Sequence, residues 1–239
     1  MDTEAELDRL RKELDRKNAE FEDFVSMAAH NLRESLRDVA ANSELLVESY
    51  AGELDSDAAV VLSRIQDGTG RMHSLLRDVV DYWTTSSVEP QHSPTDMEAV
   101  LDSAILSLDK QITQRGASIT HDPLPHVGGD FELLSKVLQH LIRNGVEFCE
   151  AASPHLHVSC RRDDRDWIFS VKDNGPGIDP EFQDRVFLPF RRQHGKEHPG
   201  TGLGLAFCKK TIERFGGRLW LESTHGAGST FYFSLPCVD

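Results

Sequence analysis

An apolar heptad repeat near the N-terminus constrains the fold of this chain more than any other feature. Apolar residues recur every seven positions, with others between them: Leu7, Leu10, Leu14, Phe21, Phe24, Val25 and Ala28. This spacing predicts one long helix over residues 4–50 with a narrow apolar seam. A lone helix cannot bury such a seam, so the pattern requires a second helix beside it.

A second helix is predicted after a turn at Gly52 and the polar stretch ELDSD, from about residue 57 to residue 83. Gly68 and Gly70 lie inside it and should be tolerated, each at a cost of about 1 kcal/mol relative to Ala. Its apolar stripe is Val61, Ile65, Met72, Leu76, Val79 and Trp83. With only a narrow apolar seam on each helix, a single hairpin has too small a hydrophobic core. We therefore predict a homodimer in which two hairpins form a four-helix bundle.

One histidine stands apart on the first helix, in the stretch AAHNLRESLR (28–37). At about 100° per residue, His30 falls nearly opposite the apolar stripe, on the polar side of the helix. A lone histidine in such a place is most often a solvated surface residue. The rest of the chain decides between that interpretation and a functional one.

Composition excludes several classes of partner. The 239 residues carry a formal net charge of −14, which argues against nucleic acid or an anionic membrane as the main partner. The sequence contains no run of about 18 apolar residues and so predicts no membrane span. Its first residues are too charged for a signal peptide. The four cysteines are far apart and are predicted to be buried thiols of a reducing compartment, which indicates a cytoplasmic protein.

The polar stretch TTSSVEPQHSPT (84–95) is interpreted as a linker, and the pattern beyond it changes to mixed α and β. Helices are predicted over 97–115, 131–150 and 203–215, the last ended by Gly216-Gly217. Strands are predicted at 118–121, 156–160, 167–172, LWLES (219–223) and STFYFSL (229–235). These elements predict an α+β sandwich with helices on one face of a mixed sheet.

Three segments in this second half carry candidate chemistry. Asn144, on a strongly amphipathic helix, has a carbonyl oxygen suited to Mg²⁺. In VKDNGPGID (171–179), Asp173 can accept a hydrogen bond from an amine, and its glycines allow close approach of a flat ligand. In GTGLGLAFCKK (200–210), glycines precede a helix whose exposed N–H groups favour phosphate. Each signal is weak alone, but their order along the chain is far more specific.

Together these segments resemble a known family. Residues 130–236 are similar to the ATP-binding catalytic domain of sensor histidine kinases, which belongs to the GHKL (Bergerat-type) ATPase superfamily. The resemblance lies in the asparagine box around Asn144, DNGPGI, VFLPF (186–190), GTGLGL and the tail FGGRLWLEST…GAGSTFYFSLP. The stretch FRRQHGKEHPGTGLGLA is most similar to phytochrome-type and PAS-linked kinases. The helical hairpin then resembles the dimerisation and phosphoacceptor domain, with His30 at the phosphorylated position.

The resemblance implies four regions. They are a coiled-coil signalling helix over 1–25, the phosphoacceptor hairpin over 26–86, a linker over 87–95 and the catalytic domain over 96–239. It also implies partners: a second copy of the chain, the receiver domain of a response regulator, and an upstream PAS or phytochrome-like sensor domain.

Site residues carry over from the family position by position. The resemblance implies that Asp173 binds the adenine amine and that Gly175 and Gly177 shape the base pocket of an ATP site. Asn144 would ligate Mg²⁺. The residues implied to lie near the phosphates are those that begin the last helix, Thr201, Gly202, Leu203 and Gly204, and those of a lid over 188–201, Arg191, Arg192, His194 and Lys196. The implied reaction is autophosphorylation of His30 by ATP, followed by transfer of the phosphoryl group to an aspartate of the regulator.

The sequence departs from the family at three functional positions. Asn31 follows the histidine where an acidic residue is usual, and an amide cannot accept the proton. We therefore expect slow autophosphorylation, partly supported by Glu34 one helical turn later. His140 stands where a second asparagine is common, and Glu147 where a lysine is frequent.

Three alternatives stay open: an ATP-binding regulatory dimer with little kinase activity, a phosphatase-biased member of the family, and an ATPase of the same superfamily. His140 in place of a catalytic glutamate argues against the ATPase.

Overall fold

A computed structural model describes residues 2–50, 55–85, 93–149, 153–191 and 200–237. The chain forms two compact units, Met1–Val88 and Glu89–Asp239. None of the helices in the described ranges combines the length and the apolar character needed to cross a bilayer.

The N-terminal unit is an antiparallel hairpin of two helices, α1 (Asp2–Ser49) and α2 (Ser56–Thr84). Helix α2 begins where Asp55 accepts a hydrogen bond from the N–H of Ala58 at 2.8 Å. It runs without a break through Gly68 and Gly70, as predicted. The rings of Phe21 and Trp83 meet edge to face at 4.9 Å, so the end of α2 lies beside the first half of α1. The turn predicted at Gly52 lies outside the described residues.

The predicted apolar stripes of the hairpin remain largely at its surface. Phe21, Leu32 and Val39 on α1 are 46%, 53% and 47% exposed, and Val61 and Met72 on α2 are 53% and 52% exposed. Among the described residues of the hairpin, the buried apolar side chains are those of Ala29 and Leu62. One hairpin therefore has almost no core of its own.

The C-terminal unit is a sandwich of helices on a mixed five-stranded sheet, as the sequence predicts. The strands are β2 (Ser118–His121), β4 (His155–Asp163), β5 (Asp166–Asp173), β6 (Leu219–Ser223) and β7 (Ser229–Pro236). The sheet order is β2-β4-β5-β7-β6, with β2 parallel to β4 and the remaining pairs antiparallel. The main helices are α3 (Met97–Ser107), α5 (Phe131–Glu147) and α7 (Gly204–Arg214).

The core lies between these helices and one face of the sheet. Helix α5 buries Leu134, Val137, Leu138, Leu141 and Ile142, five of the six residues of the stripe that its sequence predicts. The sixth, Phe148, follows the end of the helix and is half-buried. On the sheet, the rings of Phe169 (β5) and Phe233 (β7) stack with their centroids 4.8 Å apart, and both side chains are fully buried. Burial of this apolar face holds the C-terminal end of β5 beside α5, which is where the candidate site forms.

The structure corrects three predictions in this unit. Residues 93–95, predicted as the end of the linker, form a strand β1 (Ser93–Asp96) together with Asp96. This strand pairs with an unpredicted strand β3 (His126–Gly129). Residues 93–95 therefore belong to the C-terminal unit. The helix predicted over 97–115 is broken at Leu108, where ψ is 4°, into α3 and a shorter α4 (Asp109–Arg115). A short helix α6 (Pro180–Gln183) was not predicted.

The cysteine prediction is half wrong. All four thiols are free, and Cys149 and Cys208 are buried as expected. Cys160 and Cys237 are only partly buried, because Cys160 lies on β4 where this strand passes to its exposed end and Cys237 follows the last strand.

Candidate functional site

A pocket opens in the C-terminal unit between α5, the end of β5 and the start of α7. Its space, including the open mouth, is about 1050 Å³. The lining includes predicted residues from every motif: Asn144, Asp173, Gly175, Gly177, Arg191, Thr201, Gly202 and Gly204. Residues from positions 144 to 204 of the chain are thus brought to one cavity.

Asp173 ends β5 at the floor of this pocket and is 8% exposed. Its Oδ1 accepts two backbone hydrogen bonds, from Gly175 N–H at 2.9 Å and from Ser229 N–H at 3.1 Å. Burial raises the pKa of the Asp173 carboxyl above its ordinary value, although these two bonds oppose the rise. Both bonds hold the carboxylate rigidly, and within the described part of the chain they leave Oδ2 for a ligand amine.

The glycines after Asp173 keep the pocket open by their lack of side chains. Gly177 has φ of +74°, and a Cβ at this position would overlap the carbonyl oxygen of Thr224. A Cβ on Gly175 would lie 3.0 Å from Asp173 Oδ1. The turn therefore requires glycine at position 177, and a side chain at position 175 would crowd the Asp173 carboxylate. Both features fit a site for a flat base beside the carboxylate.

Asn144 is half-buried on the α5 side of the lining. Its amide oxygen is a suitable ligand for Mg²⁺, which usually takes only one or two ligands from protein and the rest from phosphates and water. The described residues contain no group of three acidic, histidine or cysteine side chains that could hold a metal unaided. The donor set fits a magnesium ion that arrives with a nucleotide.

The start of α7 closes the other side of the pocket. Gly202, with φ of +75°, and Gly204, the first residue of α7, both lie on the lining. Thr201 Oγ1 accepts a hydrogen bond from Leu203 N–H at 3.2 Å. The side chain of Leu203 is 1% exposed and absent from the lining, so its contribution to the site is packing.

Of the four predicted lid residues, Arg191 lies on the lining, and Arg192, His194 and Lys196 lie outside the described residues. Sequence reasoning missed Arg143 and Ser229, which also line the pocket. Ser229 carried no signal, because its contribution is a backbone N–H. Arg143 did carry one, since it directly precedes Asn144 on α5.

His30 lies on the N-terminal unit, on the exposed side of α1 as predicted. Its Nε2 lies 3.4 Å from Oε1 of Glu34, and the two side chains are 66% and 61% exposed. Asn31 is exposed beside it. The imidazole is therefore reachable from solvent and has a carboxylate one helical turn away.

The comparisons with known proteins agree with this geometry. Residues 129–239 match the family model described as "Histidine kinase-, DNA gyrase B-, and HSP90-like ATPase". Residues 129–239 belong to this ATPase family. The resemblance predicted from the motifs of this ATPase domain is confirmed.

Relatives extend the similarity over both units. The chain is 42% identical to cyanobacterial phytochrome A of Nostoc sp. over 97% of its own length and 30% of that protein. It is 32% identical to the adaptive-response sensory kinase SasA of Prochlorococcus marinus over 91% of its length and 58% of that kinase. The chain thus spans about a third to rather more than half of the length of these curated relatives.

Two solved structures share the fold. Full-length ShkA in complex with AMPPNP aligns with a TM-score of 0.69 and 24% identity, over 90% of this chain and 45% of that one. The histidine kinase ThkA in complex with the response regulator protein TrrA aligns with a TM-score of 0.63 and 18% identity, over 95% of this chain and 66% of that one. At these identities the two structures show the fold alone.

Proposed function

We propose that this chain is the kinase core of a two-component sensor. It binds ATP in the C-terminal unit, autophosphorylates on His30 and passes the phosphoryl group to an aspartate of a response regulator. The observation that carries the proposal is the pocket that gathers Asp173, its glycines, Asn144 and the start of α7 in an ATPase domain of the histidine kinase-like family. The relatives named above extend this similarity to the helix that carries His30.

Each part of the proposed ATP site has a physical basis. Asp173 Oδ2 accepts from the adenine amine, and Gly175 and Gly177 let the base reach it. Backbone N–H groups at the start of α7 favour phosphate because they have no partner within the helix. Mg²⁺, held by Asn144, supplies neutralisation of phosphate charge when bound.

The proposed chemistry at His30 follows from its exposure. A relay histidine must be reached both by the ATP domain and by the regulator, and a ring on the polar side of α1 permits both. Glu34 can attract a proton from the ring across 3.4 Å, but an exposed pair of this kind is weak. Asn31 cannot take the proton, so we propose slow autophosphorylation.

The partners are proposed on the same basis. The exposed apolar stripes of α1 and α2 support a homodimer, since a second hairpin would bury them. The structure of ThkA in complex with a response regulator supports such a regulator as acceptor here. The phytochrome-type relatives support an upstream sensor domain. A cytoplasmic location and the region bounds 1–25 and 26–86 stay predictions. Of the linker predicted over 87–95, the part over 87–92 also stays a prediction.

Phosphate transfer is tested by incubating the chain with Mg²⁺ and ATP labelled at the γ-phosphate. We expect acid-labile, alkali-stable label on the protein that is lost in His30→Gln and retained in a control variant, His73→Gln on α2. Label retained in His30→Gln would overturn the assignment of the phosphoacceptor. ATP binding without label would favour the regulatory dimer, and steady release of phosphate without label would favour the ATPase. Phosphate removal from a labelled regulator, without label on the chain, would favour the phosphatase-biased form.

A further inference from the structure

The pocket contains a histidine–arginine pair that the family motifs do not explain. His140 is 8% exposed, and its ring lies 5.1 Å from the ring of Phe207 on α7. Nη2 of Arg143, one turn later on α5, lies 2.7 Å from Nδ1 of His140. Both residues line the pocket.

The chemistry of the two groups fixes the direction of this hydrogen bond. A guanidinium can only donate, so Nδ1 of His140 accepts and the ring carries its proton on Nε2. Burial lowers the pKa of His140 to about 3, and the nearby charges of Arg143 and Lys136 add to the effect. The ring is therefore a neutral acceptor that fixes the position of the guanidinium.

This pair lies against the start of α7. A Cβ on Gly204 would be 2.8 Å from His140 Nδ1, the same atom that accepts from Arg143. The guanidinium is thus held near the start of α7. The first N–H groups of a helix have no partner within the helix, and they carry partial positive charge. Two positive groups that face one cavity repel each other, and an anion between them relieves the repulsion.

The other charged groups of the lining show which end of the pocket this anion takes. The described lining residues that carry charge are Arg143, Glu147, Asp173 and Arg191. Asp173 stands with the glycines at the base end, and Glu147 occupies the position where the family frequently has a lysine. On α5, Arg143 is therefore the lining residue that can supply positive charge to a phosphate.

We propose that Arg143 binds a phosphate group of the nucleotide and that His140 is a positioning residue that holds its guanidinium at the start of α7. This inference rests on the proposed ATP site and adds to it a phosphate contact from α5. It also gives a reason for the two departures from the family on α5, His140 and Glu147. The positive charge is supplied from position 143 instead of position 147, and His140 holds it there.

The test compares nucleotides with and without phosphate, by calorimetric titration of the full chain with ATP, ADP and adenosine in the presence of Mg²⁺. We expect Arg143→Met to weaken ATP and ADP about 10- to 100-fold, as for loss of a charged hydrogen bond, and to change adenosine affinity less than about threefold. The control is Lys209→Met on α7, which removes the same charge outside the lining. It should change ATP affinity less than about threefold.

The positioning role of His140 is tested by variants that remove or restore the hydrogen-bond acceptor at this position. His140→Phe keeps an aromatic ring beside Phe207 but cannot accept, so it should weaken ATP while sparing adenosine. The double variant with Arg143→Met should bind ATP no more weakly than Arg143→Met alone. His140→Asn restores an acceptor and should recover most of the affinity. Thermal unfolding of each variant establishes that it is folded. If His140→Phe does not fold, the ATP affinity of His140→Asn still tests the positioning role.

The outcomes separate this inference from the proposed function. A wild-type chain that binds no ATP contradicts the proposed function itself. A wild-type chain that binds ATP no better than Arg143→Met does contradicts only the role of Arg143. Equal weakening of ATP and adenosine by Arg143→Met would mean that the residue shapes the pocket, and additive losses in the double variant would overturn the positioning role of His140.

Discussion

The carboxylate of Asp173 accepts a hydrogen bond from the backbone N–H of Ser229, 56 residues later in the chain, at 3.1 Å. A second bond, from Gly175 N–H at 2.9 Å, reaches the same oxygen. Strand β5 and the start of β7 are thus locked together at the point where a base would bind. The position of Asp173 Oδ2 is set by this arrangement and needs no ligand to form.

Replacement of Asp173 by Asn should separate nucleotide binding from folding. The amide oxygen can keep both backbone bonds, but the NH₂ group then faces the adenine amine with a donor. We expect ATP to bind about 10- to 100-fold more weakly, measured by titration calorimetry. Asp166→Asn, at the other end of β5, is the control and should leave affinity unchanged. Equal affinity of Asp173→Asn and wild type would contradict the role of this carboxylate.

The stability of Asp173→Asn relative to wild type should depend on pH. Burial raises the pKa of Asp173 above 3.8, its ordinary value, so the folded chain holds this proton more tightly than the unfolded chain. The resulting stabilisation is complete below the unfolded pKa and is lost as pH rises through the folded pKa. The free energy of unfolding of Asp173→Asn, relative to wild type, should therefore increase as pH rises from 3.8. Urea denaturation at a series of pH values measures this difference, and a constant difference would refute the predicted direction.

Asn31→Asp should accelerate autophosphorylation. The aspartate places a proton acceptor beside His30, and a general base typically contributes about 10²- to 10⁴-fold. Because Glu34 already lies 3.4 Å from the ring, we expect an increase of at least about tenfold in the initial rate of labelling. Asn31→Ala serves as the control and should not be faster than wild type. An unchanged or lower rate in Asn31→Asp would defeat this prediction.

Gly177→Ala should damage the fold near the pocket. The residue has φ of +74°, and its new Cβ would overlap the carbonyl oxygen of Thr224. We expect a loss of more than about 3 kcal/mol in the free energy of unfolding, since strain and overlap add. Gly226→Ala is a matched control: its φ is +80° and a Cβ there meets nothing within 4 Å. It should lose only about 1–2 kcal/mol, and equal losses would show that overlap with Thr224 plays no part.

Val39→Asp should weaken the proposed dimer. Val39 is 47% exposed on a single hairpin, so a charge there costs the hairpin little. In a four-helix bundle the same charge would be buried without a partner, at a cost of several kcal/mol. Light scattering at micromolar concentration should show dimers for wild type and for Arg37→Asp, an exposed control on α1, and monomers for Val39→Asp. A wild-type monomer would contradict the dimer itself.

The long helices and the sheet strands with alternating patterns follow from local sequence. The stripe of α5 predicts its buried face because side chains at a helical spacing share one side whatever packs on them. The glycines at 175 and 177 likewise predict close backbone approach. The ends of elements were less predictable: α5 ends at Glu147, and Leu108 breaks the helix predicted over 97–115.

Strands β1 and β3 show what local sequence cannot supply. Ser93–Asp96 is polar and contains a proline, and His126–Gly129 ends in two glycines. Neither has a strand pattern, and each becomes a strand only by pairing with the other, where Thr95 Oγ1 also donates to the carbonyl of Gly129 at 2.9 Å. Pairing over 30 residues of separation is a property of the fold.

By itself, the sequence determined the helical hairpin, the α+β sandwich, the exposure of His30 and the set of motifs that meet in one pocket. Only the tertiary structure decided which atoms face the ligand. The packing of α7 across α5 puts His140 beneath Gly204 and so places Arg143 on the lining, and the pairing of β5 with β7 brings the Ser229 N–H to Asp173. Periodicity records the burial that one element needs, whereas the contacts of a site depend on the distance and angle between elements far apart in the chain.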